Sequence, residues 1–153
     1  CTTYSQAANW VRHREPGTGR ALSRDAKHAD RIVRHTLRMI RYWLSRNPAL
    51  RFCIENPRGY LRRLPEMQPL TRTTTQYSFY GWPIRKATDF WTNFPLTLRT
   101  SGPEPTTSIR VGTDRGWRAS LREALRAPAD EDSAVTLGRI PPALVRSILA
   151  QMA

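Results

Sequence analysis

The sequence is poor in the features that metal centres and membrane spans need. It holds two cysteines, Cys1 and Cys53, and three histidines. Neither Cys belongs to a C-x-x-C pair, and no His stands at ligand spacing from a Cys. His13, His28 and His35 are therefore read as non-ligands, and no metal is expected. No apolar run approaches the ~20 residues that cross a bilayer as a helix. Residue 1 already lies in a polar stretch, so no signal peptide is expected before the fold. There is no internal repeat. No G-x-G appears outside "GTG" at 17–19, and that one follows no strand.

Negative charge is scarce as well. Twelve acidic residues face 25 basic ones, for a formal net charge of +13. Such an excess is an electrostatic footprint for a polyanion, most simply nucleic acid. Nearly all the basic residues are arginine, and coding bias also produces arginine-rich chains, so charge alone does not decide the point.

What is present suits one modest domain of 153 residues. Residues 1–22 read as loop. Ser23 is placed as an N-cap with Asp25 in the first turn of a helix. Ile32, Val33, Thr36, Leu37, Ile40, Trp43 and Leu44 supply its apolar spacing, with Arg31, Arg34, Arg38 and Arg41 on the other face. "LRFCIEN" (50–56) reads as a short buried strand with Cys53 as a small core residue. "TRTTTQYSFYG" (71–81) and "DFWTNF" (89–94) read as two more strands. Residues 99–114 read as loop, a short helix is marked by Trp117, Leu121, Ala124 and Leu125, and 127–134 is an acidic link. "PPALVRSILAQM" (141–152) closes as a helix with Pro in its first turn. This order predicts an α/β layer structure, with ligands bound outside the carboxyl ends of the strands. Glu55-Asn56 lies at such an end, and Gly81 at another.

Four stretches then fall into an order that resembles DNA cytosine-5 methyltransferases, particularly small phage-type members. "CTTYS" supplies Cys1, Tyr4 and Ser5 of the loop that carries the family's nucleophile. "IENPRG" supplies the strand-terminal Glu55 and Asn56, 54 positions after Cys1. "YGWPIRKAT" supplies Tyr80, Gly81 and Pro83, with Ile84 where the family has Gln, and Lys86 and Thr88 at the two Arg positions. "GRIPPALVRSI" matches the segment that opens the last helix, with Gly138 in place of Asn. "KATDFWTN" (86–93) matches a phage-type run.

The resemblance implies the C-terminal half of a Rossmann-like methyltransferase sheet with flanking helices. It implies a single partial catalytic domain over 1–153, with a loop-rich insertion at 95–137 in place of a target-recognition domain. It further implies methyl transfer from S-adenosylmethionine to cytosine C5 in DNA. Cys1 would be the nucleophile and Glu55 the proton donor. Ser5, Asn56, Arg58, Arg85, Lys86 and Thr88 would contact substrate, and Gly138 and Ile140 the cofactor. Partners would be DNA and an upstream half of the same enzyme, in the cytoplasm of a bacterial or phage-infected cell, serving restriction-modification or phage self-protection. The chain opens on Cys rather than Met, as a processed chain or a piece of a longer gene would. Without a Gly-rich donor loop, the chain alone is expected to bind DNA but not to methylate it efficiently.

The chemistry suits these residue types. Cytosine C5 is a poor nucleophile until a thiolate adds at C6, and Cys is the side chain already partly ionised near neutral pH. Electron flow into the ring needs a proton at N3, which a partly desolvated carboxyl group supplies. Cys1 and Glu55 are also expected to converge in space, because both are placed at the carboxyl rim of neighbouring strands. Residue by residue, plainer roles also exist. Cys1 can be a free thiol, Glu55-Asn56-Pro57 a strand-to-turn stop, and Arg58, Arg62 and Arg63 a solvated rim. Trp82 and Trp91 can be core. Two other classes remain beside the methyltransferase: a non-catalytic basic nucleic-acid-binding module, and a hydrolase using Cys1 as an N-terminal nucleophile.

Overall fold

Ser23 begins the longest element as expected. In this computed structural model, which describes residues 2–4, 12–82, 85–103 and 139–152, the Ser23 hydroxyl accepts from the Ala26 N–H at 3.1 Å. It caps helix α1, Arg24–Arg46. Asp25 near the start and Arg46 near the end complement the helix dipole. The buried row is Ala26, Ala29, Asp30 and Leu37, flanked by half-buried Val33 and Ile40. The expected apolar face fails at Ile32 and Trp43, which are 53% and 54% exposed. At about 100° per residue, both stand roughly a quarter-turn or more from the buried row.

Three strands follow among the described residues: β1 (Cys53–Pro57), β2 (Thr71–Gln76) and β3 (Ala87–Thr92). They form one sheet in the order β1-β3-β2. The sheet is antiparallel. The Asn93 side chain shows why for β1 and β3. Its Nδ2 donates to the Leu50 carbonyl at 2.7 Å, and its Oδ1 accepts from the Phe52 N–H at 2.9 Å. The end of β3 is thus tied to the approach to β1. On the other side, Tyr77 N–H donates to the Lys86 carbonyl at 3.1 Å and closes the β2–β3 hairpin.

The fold is mixed α/β, but this local sheet is antiparallel rather than the parallel arrangement on which the carboxyl-end argument rested. "FCI" misled for a physical reason. A continuous apolar run resembles a doubly covered strand. Among the described residues, however, β1 is an edge strand, and Cys53 and Ile54 are only half-buried. The second strand also ends sooner than its Thr- and Tyr-rich sequence suggested. Tyr77–Tyr80 tightens into a 3₁₀ turn, capped by Gly81 at φ +80°, a left-handed conformation suited to glycine.

The chain divides into two compact units, Cys1–Thr73 with Asp89–Leu96, and Thr74–Thr88 with Thr97–Ala153. In the first, Tyr4, Ala29, Leu37, Tyr60, Leu61, Leu64, Met67 and Trp91 form the core. Arg62 is held there by buried Asp89, through Nε to Oδ2 at 2.9 Å and Nη2 to Oδ1 at 2.5 Å. In the second, the last helix, α2 (Pro142–Met152), buries Leu144 and Ile148. Its Gln151 side chain brackets Thr97, donating to the carbonyl at 2.9 Å and accepting from the N–H at 2.8 Å. The expected helix at 117–125, the acidic link and most of the 95–137 insertion lie outside the described residues. Among the described residues, no helix is long and apolar enough to cross a membrane.

Candidate functional site

The site begins with a buried arginine that the sequence did not advertise. Arg14 is 1% exposed and serves several chain segments at once. Its Nε donates to the Thr3 carbonyl at 2.9 Å and its Nη1 to the Gly19 carbonyl at 3.1 Å. Its Nη2 reaches the Ala26 carbonyl at 3.2 Å and Asp30 Oδ1 at 2.7 Å. The guanidinium carbon also lies 3.9 Å from the centre of the Tyr4 ring. Tyr4 donates its hydroxyl to Asp30 Oδ1 at 2.6 Å. Burial and the Asp30 bond push the Tyr4 phenol well above its ordinary range, so it stays protonated at neutral pH. Arg14 and Asp30 thereby bind the 3₁₀ turn Thr2–Tyr4 to the start of α1.

From this anchor, Tyr4 meets the strand-end motif. Tyr4, Val33, Thr36, Ile54, Glu55, Asn56 and Leu61 line one cavity of about 170 Å³. Glu55 is half-buried, and Asn56 is buried with Nδ2 donating to the Pro57 carbonyl at 2.7 Å. The contact continues past the strand. A Cβ on Gly59 would stand 2.1 Å from the Tyr4 carbonyl oxygen. The backbone there is extended, so the requirement for glycine is close approach and not dihedral strain. Two motifs more than fifty positions apart in sequence thus share one small, partly apolar cavity with a carboxyl, an amide and a hydroxyl beside it.

The other expected site residues fall as follows. Cys1, Ser5 and Gly138 lie outside the described residues. Arg58 and Arg85 are exposed. Lys86 Nζ sits 4.6 Å from the centre of the Tyr77 ring. Thr88 has no exposed surface, and its hydroxyl faces the Lys86 carbonyl at 3.4 Å. In this arrangement Thr88 offers nothing to a ligand. Ile140 is half-buried just before α2. Glu55, Asn56 and Arg58 belong to the first compact unit, and Arg85, Lys86, Thr88 and Ile140 to the second.

Cys53 is a free, half-buried thiol beside this motif. Burial, and secondarily the Glu55 charge, push its pKa up, which disfavours the thiolate. It is a packing residue next to the carboxylate, not a ready nucleophile. Arg62, weighed from sequence as a solvated rim residue, is instead the partner of Asp89. Trp91 is core, 1% exposed.

Sequence reasoning overlooked Arg14, Asp30 and Gly59. Asp30 did leave a signal, because a carboxylate on the apolar row of a helix must find a partner. Gly59 left a weaker one, directly after the Glu-Asn-Pro-Arg turn. Arg14 left none among 25 basic residues. Compared with protein-family models, curated proteins and solved structures, the chain matches none.

Proposed function

We propose that this chain is the nucleophile-bearing part of a DNA cytosine-5 methyltransferase, with Cys1 as nucleophile and Glu55 as proton donor. The observation that supports it is the shared cavity of Tyr4, from the Cys1–Ser5 stretch, with Glu55 and Asn56. Under this reading, the small antiparallel sheet is the edge of a larger methyltransferase sheet, a common way for mostly parallel sheets to end.

Each residue has a task. The Cys1 thiolate forms a bond to cytosine C6, turning C5 into an enamine-like carbon. Glu55 donates a proton toward N3 as charge enters the ring. Asn56 braces the turn on which the Cys1 stretch rests. S-adenosylmethionine, held by residues other than those described, would supply the methyl group and leave as S-adenosylhomocysteine. Transfer of the C5 proton to water and return of the N3 proton to Glu55 would then let the C6–sulfur bond break and restore the thiolate. The target base leaves the helix stack first, at a cost of a few kcal/mol.

Among the described residues, those assigned to the methyl donor reduce to Ile140, one half-buried apolar side chain. It offers nothing for the donor's charged amino-acid end or its ribose, so the donor does not fit on these residues alone. The proposal therefore leaves the rest of the donor site to residues other than those described.

The test uses DNA carrying 5-fluorocytosine, whose fluorine blocks the release step. The enzyme containing this chain and a donor-binding half should form a denaturant-stable adduct with that DNA, and Cys1→Ser should form none. Methylation at cytosine N4, or turnover on 5-fluorocytosine DNA without an adduct, overturns the reading. Salt-sensitive DNA binding with no methyl transfer by that enzyme would instead favour the basic nucleic-acid-binding module.

A further inference from the structure

We propose that α1 is a DNA-backbone contact, with Arg31, Arg38 and Arg41 as the phosphate-binding side chains. This rests on the nucleic-acid part of the function proposed above and adds a surface that the methyltransferase resemblance does not assign.

The stripe follows from helix geometry. At about 100° and 1.5 Å per residue, Arg31, Arg34, Arg38 and Arg41 fall within an arc of roughly 80° and span about 15 Å. Lys27 continues the same row one turn earlier. All five side chains are exposed. The four arginines border a groove of about 370 Å³, floored by Leu37 and bounded by Glu66.

Among the described residues, one of the four has a carboxylate partner. Arg34 Nε lies 2.5 Å from Glu66 Oε1. Arg31 contacts the His28 ring at 3.3 Å. Arg38 and Arg41 have no ion pair among the described residues.

Like charges three and four apart on a helix destabilise it by a few tenths of a kcal/mol per pair. On α1 itself this row repeats that arrangement, with Glu66 on Arg34 as the one counter-charge described, so a bound polyanion relieves a repulsion already built into α1. A 15 Å row matches four to five base-pair steps at about 3.4 Å each. Guanidinium forks pair with phosphate in bidentate fashion. Beyond Arg38, the exposed Met39, Tyr42 and Trp43 border a second groove with His35. Aromatic faces beside arginines suit nucleobases better than an acidic protein.

The experiment measures binding of the protein to a fluorescent duplex of about 20 base pairs between about 50 and 200 mM salt. Each phosphate contact contributes about 0.9 to the slope of log affinity against log salt. The triple variant R31Q/R38Q/R41Q should flatten that slope by about 2 to 3. A control that removes equal charge from other exposed arginines, R24Q/R72Q/R146Q, should change it by less than about 1. Thermal melts of the control should match the parent and those of the stripe variant should not fall below it, since every replaced side chain is exposed and the stripe variant loses only like-charge pairs.

An unchanged slope in the stripe variant, or an equal loss in the control, overturns the assignment of α1 while leaving DNA binding intact. A glutamate-rich peptide of equal charge that displaces the duplex as well as unlabelled DNA does also overturns it, in favour of an acidic protein partner. No binding by the parent protein at low salt removes the nucleic-acid reading itself.

Discussion

The Tyr4 carbonyl oxygen lies 2.1 Å from where a Cβ on residue 59 would stand. No real side chain tolerates that distance against backbone, so Gly59→Ala must push the Thr2–Tyr4 turn away from the Glu55–Asn56 loop. The expected cost is about 1–3 kcal/mol, the usual range for overpacking. Urea unfolding of the variant should show a lower midpoint at unchanged slope. A variant as stable as the parent would mean that the turn does not rest on residue 59.

Tyr4 gives the fold a pH limit on the alkaline side. Its phenol is raised above the unfolded value of 10.0 by burial first and by the Asp30 hydrogen bond second. The folded state therefore prefers the protonated form. That contribution is fully present below about pH 10, and is lost as pH rises from there toward the folded pKa. Unfolding free energies measured from pH 8 to 11 should fall on the alkaline side, and Tyr4→Phe should flatten that fall. At neutral pH the same variant should lose about 1.5–3 kcal/mol, because the hydroxyl bonds to a charged acceptor. An equally steep alkaline fall in Tyr4→Phe would assign the effect to another group.

Cys53 should behave as a slow thiol. Burial and the neighbouring Glu55 charge both raise its pKa, and the thiolate is the reactive form. In a Cys1→Ser background, alkylation by iodoacetamide should be slower than that of an exposed model thiol at pH 7.5. Its rate should keep climbing above pH 9, because ionisation is delayed. Fast labelling at neutral pH would make Cys53 a second candidate nucleophile and weaken the case for Cys1.

The sequence carried α1 well because its signals were local. A capping Ser, an acidic first turn and a 3–4 apolar spacing act within one element, and Ser23 and Leu37 lie where those rules put them. Strand order was not legible, because it rests on tertiary bonds such as Asn93 to Leu50, 43 positions apart. The pairing of Arg62 with Asp89 was hidden for the same reason: one arginine among many gives no hint of its carboxylate. The convergence expected from sequence was that of Cys1, which lies outside the described residues, with Glu55; the meeting of Tyr4 with Glu55–Asn56 was not itself foreseen. The device that enforces it, Arg14 on Asp30 and Thr3, is a buried charge network that no periodicity announces.

Glu55 is where the proposed chemistry is most exposed to test. It is half-buried in a cavity with Ile54, Val33 and Leu61 for apolar neighbours and Asn56 and Tyr4 for polar ones. If it protonates N3, its contact with the base strengthens as charge builds in the ring, so it acts mainly on the transition state. Glu55→Gln keeps the size and the hydrogen-bonding capacity but cannot transfer the proton. In the enzyme carrying this chain and its donor site, kcat and kcat/KM should then fall together by about 10²–10⁴-fold, the usual contribution of a positioned acid. DNA affinity should change little, because removing one negative charge from a chain at +13 does not weaken attraction to phosphate. A rise in KM with kcat unchanged would instead make Glu55 a ground-state binding residue. Unaltered kinetics would leave it as the stop at the end of β1.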